Sequence, residues 1–261
     1  MMIRIRPMLL LVFVVLVTAA CSPETENQEK ESVELTISAA SSLQDALRKI
    51  KTEFEHDYPY ITIQYNFASS GTLQQQISQG APVDVFLSAA AETFDPLVEE
   101  GLIDSDQSVD LLGNEIVLIV PKGAQGKFAS FEEVVHAERI AIGTPDSVPA
   151  GIYGKEVLES VSVWNQVEGS LIFAKDVRQV LTYVETNNVD AGIVYKTDAL
   201  RSDKVEVAAE AAEQDHSPIV YPAGVVSSGN HPEEAALFYH YIQNDQSMKM
   251  FKEYGFKDLS E

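Results

Sequence analysis

Stretches in which apolar residues alternate or run together take turns along the chain with stretches in which they recur every third or fourth position. "VELTISAA" (33–40) reads as a strand, and Leu43, Ala46, Leu47, Ile50 and Phe54 follow at helical spacing. "ITIQYNF" (61–67) alternates as a strand does, a short helix carrying Leu73 and Ile77 stops at Gly80, and "VDVFLSA" (83–89) is a third strand. After Gly101 the pattern restarts with "EIVLIVP" (115–121), a short helix near 131–136, "RIAIG" (139–143), a helix beginning near Ala150, and "LIFA" (171–174). Val177, Val180, Leu181 and Val184 mark an amphipathic helix, and "VDAGIVY" (189–195) another strand. "IVYPAGVVS" (219–227) is one more strand, and two closing helices near 233–243 and 247–254 have no sheet of their own, which returns them to the first unit. The pattern predicts an α/β chain of two lobes, with crossings near 112–120 and 218–226 that would form a hinge.

Composition agrees with two moderate cores, since the chain has 261 residues and 45% hydrophobic content. The first twenty residues stand apart. Arg4 and Arg6 precede an apolar run from Met8 to Val17, and Thr18-Ala19-Ala20 leads to the only cysteine, Cys21, as in an export signal. The position of Cys21 resembles the lipobox of bacterial lipoproteins, in which the thiol is lipidated; an ordinary cleaved signal with an incidental cysteine is the alternative. The polar stretch after it reads as a tether. The expected organisation is therefore a signal at 1–20, a tether at 21–32, lobe I from 33–114 plus 220–261, and lobe II at 115–219.

Charge removes some partners. Loss of residues 1–20 takes away Arg4 and Arg6 and no acid, which moves the formal net charge from -22 to -24. Nucleic acid and anionic lipid are poor partners for such a surface. A small anion is not excluded, because surface charges are screened beyond about 8 Å at physiological ionic strength.

In open α/β sheets ligands sit beyond the carboxyl ends of strands, where helices begin. Four such junctions stand out: "AASSLQDAL" (39–47), "FASSGTLQQQI" (67–77), "VPAGIYGKEV" (148–157) and "AKDVRQVL" (174–181), while "DAGIVY" delivers Tyr195 at its end. Pro149 suits a first helical turn and bars helix at Val148, so the helix tip near Ala150 exposes its amides. A helix N-terminus acts as about half a positive charge, so several converging on one point complement a dianion without a basic side chain. At any one junction the bland alternative is a serine serving as an N-cap.

With "LLGNEIVLIVPK", "GTPDSVPAGIYGKEVL", "AKDVRQVLTYVETNNVDAGIVY" and "FKEYGF", these motifs resemble, in order and spacing from 33 to 256, the periplasmic molybdate-binding proteins of ABC importers. The resemblance implies a two-lobed type II solute-binding fold that closes on molybdate or tungstate, with a permease and its ATPase as partners and no enzymatic activity. It implies no cofactor and no bare metal ion. The protein would be a monomer outside the cytoplasmic membrane, held to it only through Cys21. The implied ligands are Ser42 and Ser70 through hydroxyl and amide, the amides of Ala150 and Val177, and the hydroxyl of Tyr195. Where the family commonly reads S-S-S-T, Gly71 replaces the third serine.

Other polar residues invite plainer expectations. Asp84 is read as structural, Trp164 as packing, and Arg178 as one partner of a solvated ion pair on its own helix. The histidines at 56, 136, 216, 231 and 240 show no metal-binding spacing. A hydrolase using Ser42 or Ser70 as nucleophile is the alternative of a different class, but G-x-S-x-G, an S-x-x-K pair and a nearby histidine are all missing. Among binding proteins the alternative is a receptor for another tetrahedral oxyanion such as sulfate.

Overall fold

The computed structural model describes residues 31–124 and 126–259; the expected export signal, Cys21 and most of the tether lie outside the described residues. Every element named here belongs to one compact unit, Ser32–Glu261.

The chain begins with β1 (Val33–Ala40), α1 (Gln44–Asp57), β2 (Ile61–Ala68), α2 (Ser70–Ser78), β3 (Val85–Leu87), α3 (Asp95–Glu99) and β4 (Ile103–Gly113). It continues through β5 (Ile116–Pro121), β6 (Ile140–Gly143), α4 (Pro149–Ser160), α5 (Trp164–Val167), β7 (Leu171–Ala174), α6 (Val177–Glu185), β8 (Ala191–Tyr195), α7 (Lys196–Ala199) and β9 (Val205–Glu210). It returns with β10 (Val220–Val226), α8 (Pro232–Tyr241), α9 (Asp245–Glu253) and β11 (Lys257–Asp258). Among the described residues the strands form two sheets, ordered β11-β4-β10-β3-β1-β2 and β7-β6-β8-β5-β9. Each sheet with its helices is one lobe. The chain crosses from lobe I to lobe II at Asn114–Glu115, and back through residues 211–219.

Local pattern explains most of this. β1 lies parallel between β2 and β3, and β6 parallel between β7 and β8, so connecting helices cover the sheet faces. β5, antiparallel to both β8 and β9, is buried along all but its last residue, hence its unbroken apolar run. Helix α1 buries Ala46, Leu47, Ile50 and Phe54, and α6 buries Val177, Val180, Leu181 and Val184, the stripes visible in the sequence. The closing helices pack on lobe I, α8 on β10 and β1, and α9 on α1. Phe54 meets Phe238 and Tyr241 edge-on at ring-centroid distances of 5.2 and 5.0 Å.

Several expectations change. The strand expected at 83–89 is confined to Val85–Leu87; just before it, the Asp84 amide donates to the Thr36 carbonyl at 2.9 Å, while the Thr36 amide donates to Asp84 Oδ2 at 2.7 Å. The helix near 131–136 is a 3₁₀ turn, Glu132–His136. β4 and β9 do not stand out in the sequence; β4, "IDSDQSVDLLG", has exposed polar positions along much of its length and is held by pairing with β10 and β11.

Candidate binding site

Ser42, Ser70, Ala150, Val177 and Tyr195 line one small chamber between the lobes, with a cavity volume of about 10 Å³. No charged side chain lines it. A wider groove of about 710 Å³ lies elsewhere, between Gln243 and Asp258, with lysines and acids on its walls; it is a charged surface furrow rather than a convergence of helix ends.

The chamber's amides are those that helix geometry leaves over. In α4 the amides of Gly151 and Ile152 turn back to the Val148 carbonyl at 2.8 and 3.1 Å and Pro149 has none, so the amide at the tip belongs to Ala150. Gly151 is required here: a Cβ on it would lie 2.1 Å from the Gly143 carbonyl oxygen, so only glycine lets the first turn of α4 press on the end of β6. In α6 the Asp176 side chain caps Gln179 at 2.9 Å, leaving the Val177 amide at the tip. In α2 the Gly71 amide crosses to the Ser147 carbonyl of lobe II at 3.0 Å and Leu73 bonds Ser69, so the Ser70 amide is left. Ser42 sits in a 3₁₀ turn, Ser41–Leu43, whose serines make no side-chain cap.

Hydroxyl protons can be traced as well. Ser70 Oγ accepts the Ala89 amide at 2.9 Å and so keeps its own proton for another acceptor. Ser69 occupies the N-cap position of α2 and bonds Thr72 Oγ1 at 2.8 Å. Asn114, at the crossing between lobes, is oriented by the Glu115 amide on its Oδ1 (2.9 Å), and its Nδ2 donates to Thr197 Oγ1 (2.9 Å) and to the Tyr221 hydroxyl (3.1 Å). The Tyr221 oxygen accepts from Asn114 and lies 3.1 Å from Ser42 Oγ, a bond in which either hydroxyl can donate; when Tyr221 donates, Ser42 Oγ keeps its own proton. Ser42's proton is then free to face the chamber.

Tyr195 reaches from lobe II to donate to the Ala89 carbonyl of lobe I at 3.3 Å, with its ring between those of Tyr153 and Tyr221. Burial holds the Tyr195 and Tyr221 phenols well above their usual range, so both stay protonated. Three residues beyond Tyr195, Asp198 is wholly buried, and burial raises its carboxyl to about 7 against the pull of Arg178.

Arg178 corrects an expectation. It is not half of a solvated pair on its own helix; its guanidinium leaves α6 for the Asp45 carboxylate and the Ser41 carbonyl of lobe I. Fully exposed pairs lose their Coulomb energy to water, whereas this one is drawn inward by buried Asp198. Tyr221, Asn114, Thr197 and Ala89 were not legible as site residues. Their partners lie far off in sequence, and a tyrosine within an apolar strand reads as core. Among the described residues no group of three or more His, Cys, Asp or Glu is placed to hold a metal ion.

Comparison with known proteins shows the family and the fold. The family model described as bacterial extracellular solute-binding protein matches residues 35–257. The "Putative ABC transporter substrate-binding lipoprotein YvgL" of Bacillus subtilis (strain 168) is 53% identical, covering 92% of this chain and 93% of its own. The molybdate-binding protein ModA of Escherichia coli (strain K12) is 38% identical over 85% of this chain and 88% of its own. The solved periplasmic molybdate-binding protein of Azotobacter vinelandii superposes with a TM-score of 0.76, covering 85% of this chain and 98% of its own, at 20% identity, which speaks for the fold alone.

Proposed function

Since the chain belongs to the bacterial extracellular solute-binding proteins, whose role in ABC import is to bind a solute and not to transform it, we propose that this protein binds molybdate outside the cytoplasmic membrane and delivers it to an ABC permease and its ATPase. The observation that carries the ligand class is a chamber with amide and hydroxyl donors around it and no charged side chain. Molybdate at neutral pH is a tetrahedral dianion without a proton, so every oxygen can accept. Hydrogen phosphate brings a proton that needs an acceptor, and the chamber has no carboxylate to take it; a buried unmet donor costs about 1–3 kcal/mol.

In finer detail, Ser42 and Ser70 hold the anion by hydroxyl and amide, Ala150 and Val177 by amide, and Tyr195 by a hydroxyl that turns from the Ala89 carbonyl to the ligand. Tungstate, with the same charge and shape, binds in the same way. The lobes close on the anion about a hinge at Asn114–Glu115 and 211–219, and the protein works as a monomer. Cys21 carries a lipid anchor, a reading supported by the word lipoprotein in the name of the Bacillus relative. No helix among the described residues is long and apolar enough to cross a membrane.

A thermal-shift and calorimetric series with molybdate, tungstate, sulfate and phosphate tests the proposal. Molybdate and tungstate should raise the melting temperature at concentrations where sulfate and phosphate do nothing. A larger response to sulfate would make the protein a sulfate receptor, and no response to any of them would refute an oxyanion site.

A further inference from the structure

We propose that Arg178 is a positioning residue that couples closure of the lobes to the orientation of the Ser42 amide, an inference that rests on Ser42 being an anion ligand. Arg178 is the second residue of α6, next to Val177, yet it is not part of the chamber wall. On its own lobe its Nε lies 3.3 Å from Oδ1 of wholly buried Asp198, a charge contact rather than an aligned hydrogen bond. From that anchor the guanidinium crosses the cleft. Nη2 donates to the Asp45 carboxylate at the start of α1, and Nε–H to the Ser41 carbonyl at 3.4 Å.

The Ser41 carbonyl and the Ser42 N–H are two ends of one planar peptide group. A cation on the oxygen fixes the plane and polarises the N–H at the other end, the one that meets the anion in the proposed function. The same carbonyl accepts the Gln44 amide, so the peptide is held from both lobes. Asp45 has a second cationic neighbour from lobe II, Arg201, with Nε at 3.9 Å, whose guanidinium rests 4.6 Å from the centre of the Tyr254 ring of lobe I. These contacts straddle the cleft and exist only with the lobes together. Positive charge is thereby placed behind the site, while the anion itself meets neutral donors. Removing a charge that acts only in the closed state should change the rate of release and not the rate of encounter.

The test uses the whole chain and chases isotope-labelled molybdate with an excess of unlabelled molybdate. Asp45→Asn leaves the Arg178–Asp198 contact inside lobe II intact and removes the negative charge that Arg178 meets across the cleft. Arg178→Lys keeps the charge but cannot reach Asp198, Asp45 and the Ser41 carbonyl together. Both variants should release molybdate faster, on the order of tenfold, with association changed by less than about twofold. In the bound form of each, the Ser42 amide nitrogen resonance should move. Failure of the wild-type protein to bind molybdate would sink the proposed function instead. If the wild type binds and both variants release at its rate, Arg178 has no part in closure. Faster release with an unmoved Ser42 resonance would equally overturn the positioning role, leaving only a clamp between lobes.

Discussion

Tyr195 acts in the proposed site through one proton, which its buried phenol keeps at any ordinary pH. Tyr195→Phe should lower molybdate affinity by about 0.5–1.5 kcal/mol, or up to about 3 if the lost bond was to a charged oxygen, as read by calorimetry. Tyr221→Phe makes a sharper case, because Tyr221 does not line the chamber and its hydroxyl meets Ser42 Oγ, with the Tyr195 phenol as its other neighbour there. Its loss should cost roughly 2- to 10-fold in affinity, and in a Ser42→Ala background the further loss should shrink. An undiminished effect there would mean that Tyr221 acts by some route other than Ser42. Asp198 predicts a pH dependence of stability. Its carboxyl rises from 3.8 to about 7 through burial first, with Asp45 and Asp176 pushing the same way and Arg178 opposing. Between those values the folded chain holds a proton that the unfolded chain has lost, so this group's contribution is complete below about pH 4 and disappears as pH rises through 7. Asp198→Asn should therefore gain on the wild type in urea unfolding at pH 8 relative to pH 5; equal differences at both pH values would refute the shift.

Among the elements, α2 and α4 reach the site by close backbone approach. At Gly71 a Cβ would stand 2.7 Å from the carbonyl oxygen and 2.8 Å from the Cα of Ser147, backbone atoms of the opposite lobe that cannot swing aside. Gly71→Ala should thus hold the lobes apart and break the 3.0 Å bond from the Gly71 amide, weakening molybdate binding about tenfold. Alanine is the better helix former by up to about 1 kcal/mol, so the unliganded protein should melt no lower than the wild type. That split between stability and affinity marks a closure defect; a parallel fall in both would mean that Gly71 matters to the fold of α2 and not to the cleft. Where the sequence resemblance offers a third serine, the structure shows a point of contact between lobes.

For the whole molecule, Ser42 and Ser70 belong to lobe I and Ala150, Val177 and Tyr195 to lobe II, so a dianion held by all of them bridges the cleft. Molybdate should reduce the radius of gyration in small-angle scattering. It should also stabilise the protein by about 2.7 kcal/mol at a hundredfold excess over Kd. A radius unchanged with molybdate demonstrably bound would mean that the lobes do not share the ligand.

The sequence by itself determined the alternation of strands and helices, the apolar stripes of α1 and α6, and the four junctions where helix tips bare their amides, because hydrophobic period, Pro149 and the Ser pairs act within a few residues of one another. Polar β4 escaped it, since that strand is held by its partners β10 and β11 rather than by its own pattern. Only the tertiary structure decided that Tyr221, 179 positions from Ser42, orients its hydroxyl, and that Arg178, 133 positions from Asp45, spans the cleft rather than its own helix. Hydrogen bonds and charge contacts act over a few ångströms in space, and between residues so far apart in the chain that proximity exists only once the two sheets have folded and met.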